Sequence, residues 1–205
     1  FNIVTAQVGT VSLAANAGGG LTKVGAGTLT LSGANTYTGA TAIAAGTLKL
    51  GTAAALMPNT PITLAGGTLD LSGYTITNAI SGFGMVSNGT LATVFSPAGA
   101  GTIGTNALAA SNLTLKGTYV ADVTAGGDSD LLNIQGDIDL STLDLQIVNT
   151  SALNRGKTYT ILTCSGTRTG AFKSANLPDS RWHVVYGADG KVRLVFVNGT
   201  LLRLR

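Results

Sequence analysis

The chain of 205 residues contains few residues of several types, and each scarcity excludes a kind of structure or site. It has no glutamate, one cysteine, one histidine and four prolines, and only 10% of its residues are charged, against about a quarter in typical proteins. The single Cys164 cannot form an internal disulfide, and one histidine without suitable cysteines leaves a zinc site short of ligands. No apolar run approaches the ~20 residues that a membrane-spanning helix needs.

Glycine and apolar residues are abundant instead. The chain has 29 glycines, and 44% of its residues are hydrophobic, which is too apolar for a disordered protein. With so few charges, threonine, serine, asparagine and glycine must cover most of the surface. This composition suits a β-rich protein that is secreted or exposed on a cell surface.

One short phrase, Gly-Thr-Leu, occurs four times in the first half of the chain, beginning at Gly27, Gly46, Gly67 and Gly89. The copies lie about twenty residues apart, a period typical of solenoids, in which one repeat cannot bury its apolar face alone. Apolar and polar residues alternate within each copy, which indicates a strand. We therefore expect the leucines to stack inwards and Thr28, Thr47, Thr68 and Thr90 to form an outward ladder.

The pattern predicts an all-β fold, a right-handed parallel β-helix (solenoid) with a C-terminal antiparallel hairpin as its cap. Coils are predicted over residues 1–172, including the repeats, and a cap continuous with the solenoid over residues 173–205. The hairpin is predicted from two alternating strands, Trp182–Tyr186 and Val192–Val197, on either side of a Gly-Ala-Asp-Gly turn. No amphipathic helix of ordinary length is apparent.

Residues 20–51 resemble the autotransporter passenger-associated repeat. The resemblance rests on Gly20, Leu21, Lys23, Gly25, Gly27, Thr28, Leu29, Leu31, Ser32, Gly33, Asn35, Tyr37, Gly39, Thr41, Gly46 and Leu48. A second stretch, from Asp128 through Ile138 and on to Phe172, is similar to the C-terminal region of such passengers. The resemblance implies a right-handed parallel β-helix that is exported and either held at a bacterial surface or released from it.

Two groups of aspartates are candidates for chemistry. Asp128 and Asp130 could place two hard oxygens on one turn for Ca²⁺, but the tandem Gly-Gly-x-Gly-x-Asp of calcium-binding β-rolls is absent, which favours a solvated turn. Asp137 and Asp139 lie two residues apart in a predicted strand and so share one face. Paired carboxylates can cleave glycosidic bonds, but no glutamate, histidine or arginine is near them in the sequence, so we expect no catalysis there.

His183 lies in the strand Trp182–Tyr186 and is expected to be half-exposed, without a metal. We therefore predict no catalytic residue, no cofactor and no metal site. The charge is uneven, since residues 116–150 hold six aspartates and one lysine, whereas residues 151–205 hold nine lysines or arginines and two aspartates. The basic residues are scattered along alternating strands, so nucleic-acid binding is not expected.

The function predicted is that of a non-enzymatic structural or adhesive β-helix of the bacterial cell surface or exterior, serving display, spacing or self-association. The alternative is a carbohydrate-directed module or enzyme on the same scaffold. Partners are expected to be further copies or neighbouring coils of a longer chain, and a surface glycan or protein receptor. The chain is expected to be a processed product or a fragment, with the uncharged stretch from Phe1 through Val11 covered by preceding coils or by a neighbour in a head-to-tail fibre.

Overall fold

The computed structural model describes residues 2–3, 9–11, 19–97 and 108–198, with side chains described over 19–97 and 112–198. In these ranges all the regular secondary structure is strand, apart from two short 3-10 turns. Most of the prediction for Phe1 through Val11 therefore lies outside the described residues, since only the backbones of two short strands are described there.

The strands and 3-10 turns follow one another in a single series along the chain. They are β1 (Asn2–Ile3), β2 (Gly9–Val11), β3 (Leu21–Lys23), β4 (Thr28–Leu31), β5 (Thr41–Ile43), β6 (Thr47–Leu50), β7 (Ile62–Asp70), β8 (Thr75–Ile76), β9 (Ile80–Pro97), β10 (Leu108–Asp122), β11 (Leu132–Gln135), β12 (Ile138–Asp139), a 3-10 turn (Leu140–Thr142), β13 (Leu143–Val148), a second 3-10 turn (Thr150–Ala152), β14 (Thr158–Cys164), β15 (Arg168–Thr169), β16 (Ser174–Ala175), β17 (Trp182–Tyr186) and β18 (Lys191–Phe196).

Parallel pairing between strands about one repeat apart builds the sheet. One run of pairs joins β1, β3, β5, β7, β9 and β10, and a second joins β2, β4, β6 and β7. We call each stretch from one strand to its partner in the next layer a coil. The all-β, mainly parallel architecture is confirmed and is consistent with a β-helix, while the right hand of the coils and the division after residue 172 stay predictions.

Leucines of successive repeats lie in register and form the core of the first coils. Leu29 pairs with Leu48, Leu48 with Leu69, and Leu31 with Leu50, and each is at most 2% exposed. Threonines at alternate positions of β4 face outwards, as the two-residue period of a strand requires. The predicted inward stack is therefore confirmed, and burying each leucine stabilises the fold by roughly 1.5–3 kcal/mol.

The predicted threonine ladder is correct for three of its four members. Thr28 pairs with Thr47, and Thr47 with Thr68, but Thr68 pairs with Met85. Thr90 instead pairs with Thr75 of the short strand β8. The prediction for Thr90 is wrong because β8 is inserted between the third and fourth copies of the phrase, so the fourth copy stacks on β8.

The long strands β9 and β10 turn a corner and stay paired with each other on both sides of it. Asn88 and Asn112 adopt positive φ angles of 57° and 48°, a conformation that asparagine tolerates better than most residues. The Asn112 amide donates to Asn88 Oδ1 at 3.5 Å, and the Asn88 amide donates to Asp70 Oδ1 at 3.1 Å. At Gly82, with φ of +94°, a Cβ would lie 1.9 Å from the carbonyl oxygen of Leu64. Short polar side chains and glycine therefore fix the corners.

The C-terminal end reverses the direction of pairing. β17 and β18 form an antiparallel hairpin, and β18 also pairs antiparallel with β14, which is otherwise the last strand of the parallel run. Trp182 packs on Phe196 with ring centroids 5.4 Å apart and on Tyr159 at 6.2 Å. The predicted antiparallel hairpin is therefore present, and an aromatic cluster joins it to the last coil.

Candidate functional site

The polar side chains of the repeat bind the main chain of the following coil. Lys23 is only 1% exposed, and its ammonium donates to the carbonyl oxygens of Val24 at 3.0 Å, Gly25 at 2.7 Å and Ala45 at 3.0 Å. Burial lowers the pKa of Lys23, but the three carbonyls match the three N–H groups of an ammonium. This lysine is therefore a structural clamp between coils. Its partner in the next coil is the apolar Ile43, so Lys23 occupies an inward position of the strand.

Asn35 and Tyr37 have comparable roles. The amide of the buried Asn35 donates to the carbonyl oxygen of Ala55, one coil on, at 2.7 Å, and the Tyr37 hydroxyl lies 2.7 Å from Thr41 Oγ1. Lys23 and Asn35 thus satisfy backbone carbonyl groups that would be costly to bury unpaired, whereas Tyr37 bonds to a side-chain hydroxyl. Sequence reasoning identified these residues as a motif but gave no indication that they are buried.

The structure separates the two aspartates of the predicted turn. Asp128 is exposed and accepts from Thr124, whereas Asp130 is fully buried and its carboxylate accepts from the backbone N–H of Asp122 at 3.2 Å. Asp122 is also fully buried, and Asn149 donates to it at 3.2 Å. Asp128 is thus exposed, as in a solvated turn, whereas the expectation of a solvated turn is wrong for Asp130, because its carboxylate is buried and bonded to the backbone of Asp122 in β10.

A buried tyrosine lies beside these carboxylates. Tyr119 stacks on Phe95 with centroids 5.6 Å apart, and its hydroxyl donates to the carbonyl oxygen of Ile161 at 2.8 Å. Burial, with a further contribution from Asp130, raises the pKa of Tyr119 well above its usual value. Within the described ranges, the structure contains no group of three or more histidine, cysteine, aspartate or glutamate residues that could hold a metal ion.

Asp137 and Asp139 line the cleft that is the main candidate site. It has a volume of about 480 Å³ and is bounded by three apolar and six polar residues, namely Leu113, Leu115, Ile138, Thr114, Asp137, Asp139, Thr142, Thr167 and Thr169. It lies where the sheet is interrupted. Residues 113–119 of β10 pair with β9 on one side, while on the other side β10 pairs only through 108–111 and 117–122.

Main-chain N–H groups hold one oxygen of each cleft carboxylate. Thr167 N donates to Asp137 Oδ1 at 2.7 Å, and Ser141 N donates to Asp139 Oδ1 at 2.9 Å. Hydrogen bonds from the side chain and the backbone of Ser141 lower the pKa of Asp139, so this carboxyl is ionised at neutral pH. Neither aspartate forms an ion pair with any residue in the part of the chain that the structure describes.

Arg168 lies one strand away from the two aspartates, although it is distant in sequence. It pairs with Ile138, but its guanidinium lies 4.9 Å above the ring of Tyr186 and donates to the carbonyl oxygen of Gly170. Its Nε is buried and has no hydrogen-bond partner among the described residues. The structure thus brings an arginine to the neighbouring strand but not into contact with the carboxylates.

The remaining candidates are isolated from the cleft. His183 is half-buried in β17 and pairs with Val195, and Cys164 is half-buried at the end of β14. Two arginines, Arg155 and Arg181, lie over the ring of Phe196 at 5.0 and 5.2 Å. No helix within the described ranges is long and apolar enough to cross a membrane.

Comparison with known proteins places a family repeat on the first complete coils. Residues 21–50 match the family model of the passenger-associated-transport-repeat, which agrees with the resemblance seen in the sequence. Searches of curated proteins and of solved structures found no match. The matched residues include the buried lysine, asparagine and tyrosine described above.

Proposed function

We propose that this chain is part of a bacterial passenger region, secreted or displayed on the cell surface, whose role is structural or adhesive. The observation that carries the proposal is the repeat at residues 21–50, in which Lys23 and Asn35 bind carbonyl oxygens of the following coil. Such side chains serve the stacking of coils. Stacked coils form an extended scaffold for display or spacing.

The proposal includes self-association through the end of the stack that precedes β3. A parallel sheet that ends in an unpaired strand can pair with another chain, whereas at the opposite end the antiparallel hairpin carries charged residues such as Lys191 and Arg193. A head-to-tail contact of this kind does not close and would propagate as a filament. Preceding coils of a longer protein would cover the same end and would serve spacing instead.

Sedimentation velocity across a range of concentrations tests self-association. The chain is compared with two fusions to one compact monomeric domain, placed before residue 1 or after residue 205. The expected result is a mass that keeps rising with concentration for the chain and the C-terminal fusion, and a monomer for the N-terminal fusion. A mass that stays monomeric, stops at a dimer, or rises equally in both fusions would contradict the proposal.

The proposed role is non-enzymatic. Glycoside cleavage by two carboxyl groups requires one of them to be a protonated acid with a raised pKa, whereas the pKa of Asp139 is lowered. No release of reducing ends is expected when the chain is incubated with polysaccharides. Turnover that disappears in an Asp137→Asn variant would refute this part of the proposal.

A further inference from the structure

The cleft between β10 and β12 combines three kinds of surface that a structural coil does not need together. Its polar lining includes two carboxylates and the hydroxyl groups of Thr114 and Thr167. These two hydroxyl groups make no hydrogen bond within the described part of the chain. Its apolar lining includes the half-buried Leu113. The pairing that would close the sheet stops at this point, so the cleft stays open to solvent.

The carboxylate of Asp137 is the best-placed group for a ligand. Its Oδ1 is occupied by the backbone N–H of Thr167, which fixes the orientation of the side chain. Its Oδ2 has no hydrogen bond or ion pair among the described residues. A carboxylate oxygen held in this way accepts hydrogen bonds from a ligand at little entropic cost, because its position is already fixed.

The geometry points to a neutral saccharide as the ligand of this cleft, bound and not cleaved. Sugar hydroxyls donate to the two carboxylates and exchange hydrogen bonds with the threonine hydroxyls, which both donate and accept. The carbon-bound hydrogens of a sugar ring pack on Leu113. A volume of about 480 Å³ falls within the usual range of small-ligand sites and leaves room for about one or two rings.

Other ligands use less of this surface. A metal ion would occupy only the carboxylates and would leave the apolar side and most of the volume empty. An amine would need only acceptors and would leave the hydroxyl donors of Thr114 and Thr167 without a role. The inference is independent of self-association, since a monomer could bind a sugar as well as a filament could.

Titration of the isotope-labelled full chain with maltose, cellobiose, lactose and diacetylchitobiose, followed by NMR, tests the inference. At least one disaccharide is expected to shift the amide signals of residues 113–115, 137–139 and 167–169 in a saturable way and independently of salt. Calcium chloride alone and spermidine alone are expected to leave these signals in place. Failure of all four sugars to shift them would overturn the proposal, as would shifts that require calcium.

Three variants separate binding from folding. Asp137→Asn keeps an oxygen that accepts from Thr167 N but loses the free carboxylate oxygen, and should weaken binding about tenfold or more. Thr167→Val should weaken it about threefold. Asp128→Asn, an exposed carboxylate outside the cleft, is the control and should bind like the parent chain. Spectra that are unchanged away from the cleft confirm folding, and an Asp137→Asn variant that binds as tightly as the parent chain overturns the proposal.

Discussion

The repeat region, residues 19–71, and the C-terminal region, residues 112–198, join their layers by different contacts. In the repeat region, buried polar side chains such as Lys23 and Asn35 bind carbonyl oxygens of the next coil, and leucines stack in register. In the C-terminal region, aromatic pairs such as Tyr159 with Trp182 join the layers, and Tyr119 stacks on Phe95 of β9. The contacts of the repeat region can recur from one coil to the next, whereas those of the C-terminal region depend on one particular set of aromatic partners.

The largest expected effect tests whether the leucine stack supports the repeat region. Leu48→Asp would bury a charge without a partner between Leu29 and Leu69, and should lower the free energy of unfolding by about 4 kcal/mol or more. Thr30→Asp is the matched control, because Thr30 is outward on β4 and pairs with Lys49. Urea denaturation should show a change within about 0.5 kcal/mol for this control. Similar losses in both variants would mean that the inward stack does not carry the stability.

The next effect sharpens the comparison by removing one polar clamp. Lys23→Met keeps the apolar stem but leaves three carbonyl oxygens without their donor, and should cost about 3 kcal/mol of unfolding free energy. Lys49→Met, an exposed lysine of the next coil, should cost less than about 0.5 kcal/mol. Equal costs in urea denaturation would show that the buried ammonium is not what distinguishes the repeat region.

A smaller effect is expected for the buried Tyr119 of the C-terminal region. Tyr119→Phe keeps the stack on Phe95 but removes the hydroxyl that donates to Ile161, and should cost about 1.5 kcal/mol. The control is Tyr74→Phe, which removes an exposed hydroxyl that donates to Gly51 at 3.2 Å and should cost less than about 0.5 kcal/mol. Thermal and urea denaturation should rank the two variants in this order, and the reverse order would contradict the role given to the buried hydroxyl.

The smallest effect concerns the charged turn of the terminal hairpin. Hydrogen bonds from Arg193 lower the pKa of Asp189 to about 2. Because this pKa is lower in the folded chain, the contribution of the carboxylate is complete above the unfolded value of about 4 and is lost as the pH falls towards about 2. Carboxyl signals followed by NMR should show this midpoint, and Arg193→Gln should return it towards its usual value. A midpoint that stays unchanged in Arg193→Gln would assign the shift to another cause.

Features that follow from a local sequence pattern could be predicted, whereas features that depend on contacts between distant segments could not. The period of the Gly-Thr-Leu phrase predicted the pairing of Leu29, Leu48 and Leu69, and the hairpin followed from its turn and alternating strands. The pairing of the fourth phrase was predicted wrongly. β8 lengthens the coil before it, and the Gly-Thr-Leu phrase itself does not indicate that insertion. The burial of Asp130 and the cleft beside Asp137 depend on how separate coils pack, which a local pattern does not encode.

The contact between Lys23 and Gly46 lies within one copy of the repeat. Gly46 has φ of +65°, and a Cβ there would lie 2.6 Å from Lys23 Nζ of the preceding coil. The lysine of one coil and the glycine of the next are therefore a complementary pair that joins two successive coils. Both residues lie within the matched repeat, residues 21–50, so a duplication of that segment would copy the lysine together with its glycine. Each added copy would thus bring its own buried clamp, on whichever side of the existing repeat it was inserted.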